Sequence, residues 1–334
     1  MPHEEDLSIL DVNSEEDEDI EAANKAFPTS YNCIAKKAIS LENNFITKMD
    51  AFWYSGITGS VAVGLSNNSV IISNTDNLTT IKNLKGHRDV VTEVRYSKLD
   101  SNLIYTSSMD RTIKRWDIRI KDSCVNKFKH NTEGPEPHQW KPFSTMDVNC
   151  SDTFICGGTE KNGDDSFLLF FDVRNPEVLG GYWESHSEDV TKDTLKWLKR
   201  SNAIYNHLGV VCQSEEYQLW DIEESMPSFK FEREILSKAL MRTSPEACYL
   251  VDSFQFDDSD DVFILGGSKR KHSGCLRVLQ LHKKKFKGYS SLIDQDMLEN
   301  QIFRAVCANP KSRCIITGGE DGLSTFGKRE RKKS

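Results

Sequence analysis

What the chain has little of narrows the field first. Among 334 residues no stretch approaches the roughly 20 consecutive apolar positions that a membrane-crossing helix needs. The N-terminus is acidic, unlike the basic-then-apolar start of a secretory leader. The nine cysteines (33, 124, 150, 156, 212, 248, 275, 307 and 314) contain no CxxC pair and no metal-ligand spacing. An odd, scattered set of this kind reads as reduced thiols in a cytoplasmic or nuclear protein, most of them acting as small core side chains. There is no GxxxxGK followed by Ser or Thr and no GxGxxG to cradle a phosphate, and no HExxH or GxSxG to carry hydrolysis. The acidic cluster Asp257-Asp258-Ser259-Asp260-Asp261 lacks the Gly and Glu offsets of a calcium loop and reads as a solvated turn. These absences point away from an enzyme and call for neither cofactor nor metal.

Charge has to be divided before it means anything. The formal net charge is −8, yet residues 1–27 hold ten acids against Lys25 alone, so the rest of the chain sits near +1. A nearly neutral body gives no overall argument for nucleic-acid binding. Hydrophobic content of 37% with 10% aromatics is enough for a folded core.

What is there is organised around Gly86 to Arg119. Val91–Tyr96, Leu103–Thr106 and Thr112–Ile118 alternate apolar and polar residues between turn residues, and read as three antiparallel strands. His87, Thr106, Asp110 and Trp116 are spaced so that the four polar groups can form one buried hydrogen-bonded chain. Opening on Gly86-His87 and closing on Trp116-Asp117, the stretch resembles a WD repeat, one blade of a β-propeller.

That resemblance implies an all-β propeller, and six blades are recognisable along the chain. The first runs from Phe52 to about Leu84 and lacks the His and the terminal Trp. The second is the opening stretch, with an outer strand near Val125–Phe128. The third covers Ser144–Tyr182, with Phe171-Asp172 in place of Trp-Asp. The fourth uses His186 and ends at Trp220-Asp221; its Thr191–Tyr205 stretch is poorly patterned as an inner strand, and Ser214 stands where Asp110 stands in the second. The fifth covers Tyr249–Leu281 and the sixth Ile302–Phe326. Tyr31–Ser40 is expected to complete the last blade and close the ring. The resulting plan is a disordered acidic tail over 1–27, a propeller over 28–327 and a basic tail over 328–334.

Further stretches, Ile155–Lys161, Phe167–Arg174, Ser185–Thr191 and Gly318–Gly322, also resemble WD-repeat proteins. Propellers of that family usually have seven blades. A blade absent at Thr191-Lys192 is one explanation, and would force an altered closure or leave sheet edges exposed; a true six-bladed ring is the other.

With no catalytic constellation, the fold implies a platform for binding other proteins, with loops on a stiff scaffold as the binding elements. Arg88, Glu93, Ser187 and Glu188 are expected near one face. Trp116-Asp117-Ile118-Arg119 and Asp172-Val173-Arg174 resemble the WDxR box of substrate receptors in cullin-RING ubiquitin ligases, which would make Arg119 and Arg174 adaptor contacts. Their bland reading is pairing with acids of the same chain. A nucleic-acid-associated protein is a third class, motivated by the basic turn Ser268–Gly274 and the basic C-terminus. In the acidic tail, Ile9, Leu10 and Val12 followed by acids resemble a SUMO-interacting segment, and Ser14 a site for an acid-directed kinase. Lys328, Arg329, Arg331, Lys332 and Lys333 resemble a nuclear-import signal.

Overall fold

The computed structural model describes residues 20–39, 44–56, 58–77, 79–129, 141–161, 166–176, 179–185, 191–200, 203–224, 226–269, 276–292 and 302–331. After a short helix α1 (Ile20–Ala26) and a strand β1 (Thr29–Ala38), the chain runs through successive antiparallel meanders. Blade 1 is β2–β5 (Ile46–Ser55, Thr58–Leu65, Val70–Asn74, Thr80–Leu84), and blade 2 is β6–β9 (Val91–Tyr96, Leu103–Ser108, Thr112–Asp117, Cys124–Phe128). Blade 3 is β10–β13 (Phe143–Val148, Phe154–Thr159, Ser166–Asp172, Leu179–Ser185), and blade 4 is β14–β17 (Lys192–Arg200, Ala203–Cys212, Tyr217–Asp221, Pro227–Phe231). A helix α2 (Arg233–Ala239) then precedes blade 5, β18–β21 (Cys248–Phe254, Val262–Ser268, Leu276–His282, Lys285–Leu292). Blade 6 is β22–β24 (Phe303–Ala308, Ile315–Gly319, Leu323–Arg331) with β1 as its outer strand.

Six apolar clusters hold these sheets face to face, one at each junction of neighbouring blades. Ala62, Val70 and Ile72 of blade 1 pack on Val94, Ile104 and Trp116 of blade 2. The series continues to Ile46, Met49 and Val63 of blade 1 against Ala305, Cys307 and Ile316 of blade 6, so the ring is closed. Sandwiching explains the strand patterns. Along β3 every residue but the first is buried, because both faces meet a neighbouring blade, whereas the outer β9 is mostly exposed. The ring therefore has six blades, not the seven usual for WD propellers.

Closure is by β1. It pairs antiparallel with β24 from Thr29↔Arg331 to Ala38↔Leu323, and it also bridges in parallel to β21 at Ser30↔Ser291 and Tyr31↔Leu292. Thr29 Oγ1 donates to the Tyr289 carbonyl at 2.7 Å and Ser290 Oγ donates to the Thr29 carbonyl at 3.1 Å. Blades 5 and 6 thus merge into one eight-stranded sheet, and the outer edge that a shortened ring would leave open is covered there.

Several sequence expectations shift. The basic tail begins later than residue 328, because β24 runs on to Arg331 along β1. The N-terminal tail ends earlier than residue 27: Ala23 and Phe27 are buried, Phe27 in the cluster between blades 4 and 5. The spacing Ala23, Ala26, Phe27 puts small and apolar residues on one face of α1. The unpatterned Thr191–Tyr205 stretch does contain an inner strand, β14. Its Lys192 is fully buried with its ammonium 5.8 Å from the centre of the Trp220 ring, so the charge that spoiled the pattern points inward.

Candidate protein-interaction surface

In blade 2 the indole N–H of Trp116 donates to Thr106 Oγ1 at 2.7 Å, and that hydroxyl meets His87 Nε2 at 2.6 Å. His87 Nδ1 meets Asp110 Oδ2 at 2.9 Å, and the same oxygen accepts the Arg88 amide at 3.0 Å. Burial pushes the His87 imidazole below its ordinary value despite the nearby carboxylate. The neutral ring therefore donates from Nδ1 and accepts the Thr106 hydroxyl at Nε2. Burial alone would raise the Asp110 carboxyl, but hydrogen bonds from His87, Thr112 and the Arg88 amide hold it well below the usual carboxylate range. Every member of the chain has a partner, which anchors the turn at Asp110-Arg111 to the strand that carries Trp116.

The centre of the ring is built by a repeated irregularity. The first strand of every blade is bulged against the second, between Ile46/Lys48, Val91/Glu93, Phe143/Thr145, Lys192/Thr194, Leu250/Asp252 and Phe303/Ala305. A bulge re-aims the residues that follow it. Two tiers result: Lys48, Glu93, Thr145, Thr194, Asp252 and Ala305, then Asp50, Arg95, Asp147, Lys196, Phe254 and Cys307.

These side chains tie non-adjacent blades together. Arg95 Nη1 donates to Glu93 Oε1 at 2.7 Å, its Nε lies 3.4 Å from Asp147, and its Nη2 reaches the Leu195 carbonyl of blade 4 at 3.4 Å. Lys196 Nζ lies 3.0 Å from Asp252, and Thr145 Oγ1 donates to Glu93 Oε2 at 3.1 Å. Between neighbours, Asp50 accepts the Tyr96 amide and Asp147 the Trp197 amide, at 2.9 and 2.8 Å. Burial raises Glu93 against the pull of Arg95, while Asp252 is held down by Lys196, Arg95 and Lys48 in spite of its burial. Glu93, expected near a face, is instead fully buried in this hub. Sequence reasoning missed the hub, although a signal existed: Met49-Asp50, Val94-Arg95, Met146-Asp147 and Leu195-Lys196 repeat an apolar-charged pair at equivalent places.

Each meander turns on one face of the disc after its first and third strands. On that face a cavity of about 290 Å³ opens over the hub, walled by Asp50, Lys98, Asp147, Lys196, Phe254 and Cys307. Asp152 fastens the turns of blades 2 and 3 by accepting the Lys98 amide at 3.0 Å and the Ser97 hydroxyl. Around them large apolar side chains face solvent: Leu99 is 69% exposed, Tyr54 58%, Phe154 45% and Ile120 43%.

Arg119 and Arg174 lie on the same face. Each folds back on the aspartate two residues before it, Nε and Nη2 donating to Asp117 or Asp172 at 2.9 and 2.6 Å. These hydrogen bonds hold both carboxyls down to about 2. The guanidinium side chains remain 57% and 76% exposed, so they are oriented by their own acids without being covered. Arg88 is exposed, and Lys328 lies exposed on β24 beside Arg329 and Arg331 of the same strand. Ile9, Leu10, Val12, Ser14, His186, Ser187, Glu188, Lys332 and Lys333 lie outside the described residues. In the Asp257–Asp261 cluster Asp258 pairs with Arg313 at 2.5 Å and Asp261 with His282 at 2.5 Å, which makes it a pinned turn. No described helix is long and apolar enough to cross a membrane, and no group of three metal-ligating side chains converges among the described residues.

Residues 78–117 match the family described as WD domain, G-beta repeat. The chain is 27% identical over 148 residues to the Ribosome biogenesis protein WDR12 homolog of Arabidopsis thaliana, covering 44% of this chain and 30% of that protein. To the WD repeat-containing protein 89 homolog of Dictyostelium discoideum it is 21% identical over 263 residues, 78% of this chain and 64% of the other. The chain thus spans about a third of the first relative's length and just under two thirds of the second's. A chain in the structure titled Crystal Structure of Mitotic Checkpoint Complex superposes with a TM-score of 0.55 at 13% identity, covering 88% of this chain and 77% of that one. The chain carries a WD repeat, and its fold is that of a WD-repeat β-propeller, a general type of protein-interaction scaffold.

Proposed function

We propose that this protein is a non-enzymatic scaffold that docks other proteins on the face bearing Arg119 and Arg174. The observation that carries this reading is the coincidence, over blades 1 to 3, of exposed Tyr54, Leu99, Ile120 and Phe154 with two oriented, uncovered guanidinium groups. Arginine and large aromatic or apolar side chains dominate the energetics of protein interfaces. Most of the charged groups at the ring centre are meanwhile paired with one another, which favours a rigid holder over a reaction site. Proximity labelling in cells with the tagged full chain tests it. Replacing Leu99, Ile120 and Phe154 by Glu is expected to remove the main labelled proteins, and an unchanged set would refute the assignment.

A second reading is favoured by the paired geometry of Arg119 and Arg174. Both sit at equivalent turns of neighbouring blades, as an adaptor of a cullin-RING ubiquitin ligase would require. Co-purification of that adaptor with the wild-type chain, lost on Arg119→Ala with Arg174→Ala, supports it. A wild-type pull-down without adaptor ends it. The basic residues from Lys328 onward, and the relative named for ribosome biogenesis, favour a nuclear place of work. Fractionation of cells expressing the tagged chain tests that, and exclusion from nuclei would count against it.

A further inference from the structure

The chain enters its fold at a fixed point on the closing seam. α1 rests on β21, where the Ala26 carbonyl fills the space that a side chain at Gly288 would need, 2.2 Å from an ideal Cβ. Phe27 follows into the core with the Arg277 guanidinium 5.5 Å from its ring centre. The end of α1 is therefore held against Gly288, next to Lys287 in the chain, and its start, Ile20, lies within about 9 Å of that end, at 1.5 Å per helical residue.

The seam itself is basic. Lys283, Lys284, Lys285 and Lys287 are all exposed, and among the described residues none of them is in an ion pair. Lys283 and Lys284 form the two-residue turn into β21, both with positive φ, and the Lys284 ammonium sits 3.8 Å from the centre of the Phe229 ring. Next along the sheet come β1 and β24, whose sequences hold Lys36 and Lys37, and Lys328, Arg329 and Arg331; Lys328 is exposed. Across residues 283–292, 29–38 and 323–331 there are nine cations and one acid, Glu330.

Residues 1–19 are the complement: nine acids and no Lys or Arg. Their reach is sufficient. Four residues from Lys287 to Ser291, then six from the bridged Ser30 to Lys36, make a path of roughly 33 Å at about 3.3 Å per residue. Nineteen residues span up to roughly 60 Å when extended. A segment tethered beside its target also acts at an effective concentration in the millimolar range, which lets individually weak surface pairs add up.

We propose that the acidic segment 1–19 docks in cis on this seam, centred on Lys283–Lys287, and there occupies a surface that would otherwise bind a polyanion. Lysines without acid partners among the described residues, a fixed exit point near them and an opposite charge of matching size together select the chain's own tail as the occupant. The contact is electrostatic and so weakens with salt.

Carbodiimide cross-linking of the full-length chain, followed by mass spectrometry of the digest, tests the docking. Amide links from carboxylates of 1–19 to Lys283, Lys284, Lys285 or Lys287 are expected, in a yield independent of protein concentration and suppressed at 0.5 M salt. Links that grow with concentration would assign the seam to a second copy, and links directed elsewhere would remove it as the site; either overturns the proposal. Covering is tested with a 20-nucleotide single-stranded RNA as probe. The full-length variant with the nine acids of 1–19 changed to Asn or Gln should bind it about tenfold more tightly than wild type at low salt. Adding Lys283→Glu, Lys285→Glu and Lys287→Glu should abolish that gain. Equal affinity of wild type and the neutralised variant overturns the masking, with thermal unfolding confirming that each variant is folded.

Discussion

In blade 2 the indole of Trp116 passes its hydrogen bond to Thr106, and through it to His87 and Asp110. In blade 4 the indole of Trp220, at the same place in its strand, donates to Gln218 Oε1 at 3.0 Å, and the buried Lys192 approaches its ring. Ser214 occupies the turn position of Asp110, and its buried hydroxyl has no hydrogen-bond partner among the described residues. The residue after it, Glu215, takes the left-handed conformation of Arg111, and its carboxylate reaches across to accept the Leu250 amide of blade 5 at 2.6 Å. A buried indole N–H demands an acceptor, but not a particular one. Blade 2 meets the demand from within and locks its own turn. Blade 4 meets it with a neighbour in the same strand and uses its turn acid on the next blade.

The largest way to break this comparison is to cut what both blades share. Arg95 reaches from blade 2 to blade 4, and Arg95→Met strands Glu93, Asp147 and Asp252 without it. Removing one partner of a buried charge pair costs about 3–5 kcal/mol. A drop of that size in urea-induced unfolding is expected, with partial recovery on adding Glu93→Gln. A change below about 1 kcal/mol would mean that the hub is not what joins the blades.

Next comes the turn acid. Asp110→Ala leaves His87 and the Arg88 amide without their acceptor and should cost about 2–3 kcal/mol. Ser214→Ala at the matching place should stay within about 0.5 kcal/mol. Similar losses in the two variants, measured by thermal melts, would erase the distinction.

Acid should separate the blades as well. The folded values of His87 and Asp110 both lie below their unfolded ones, so each contributes stability that is present at neutral pH. That of His87 starts to be lost as pH falls below about 6.5, and that of Asp110 below about 4. Hydrogen exchange at pH 4 should expose the amides of Thr106 and Trp116 more than those of Leu208 and Trp220. Equal loss of protection would contradict this.

The smallest effect has the opposite sign. Burial pushes the Glu215 carboxyl up to about 7, against the pull of the Leu250 amide. A raised acid favours the fold fully below its unfolded value near 4.5, and that contribution is lost as pH rises through 7. Glu215→Gln should therefore raise the melting temperature by about 2–4 °C at pH 8 and leave it unchanged at pH 4. A lower melting temperature at pH 8 would show that the charged carboxylate is needed by the Leu250 amide.

Much of this architecture was legible from punctuation. Turn residues between alternating runs gave the blades, the spacing of His87, Thr106, Asp110 and Trp116 marked one complete repeat, and Tyr31–Ser40 was assigned to ring closure, where β1 lies. Illegible were the residues whose environment is made by distant segments. The burial of Lys192 and the pairing of Lys196 could not be read in the sequence, because nothing local says that Trp220 and Asp252 will stand beside them. Glu93 was misplaced for the same reason. α2 escaped notice because its buried Leu236 and Leu240 form only a short apolar pattern, and its end is held by Arg277, whose Nη1 donates to the Leu240 carbonyl at 2.7 Å.

By itself the sequence determined the kind of unit, a short-stranded meander repeated along the chain, because strand alternation and turn chemistry act over a few residues. Only the tertiary structure decided the number that closes the ring, the charges that fill its centre and the face that keeps its arginines in water. Those depend on which blades meet, and burial and Coulomb interactions act between groups a hundred residues apart once the ring has brought them together.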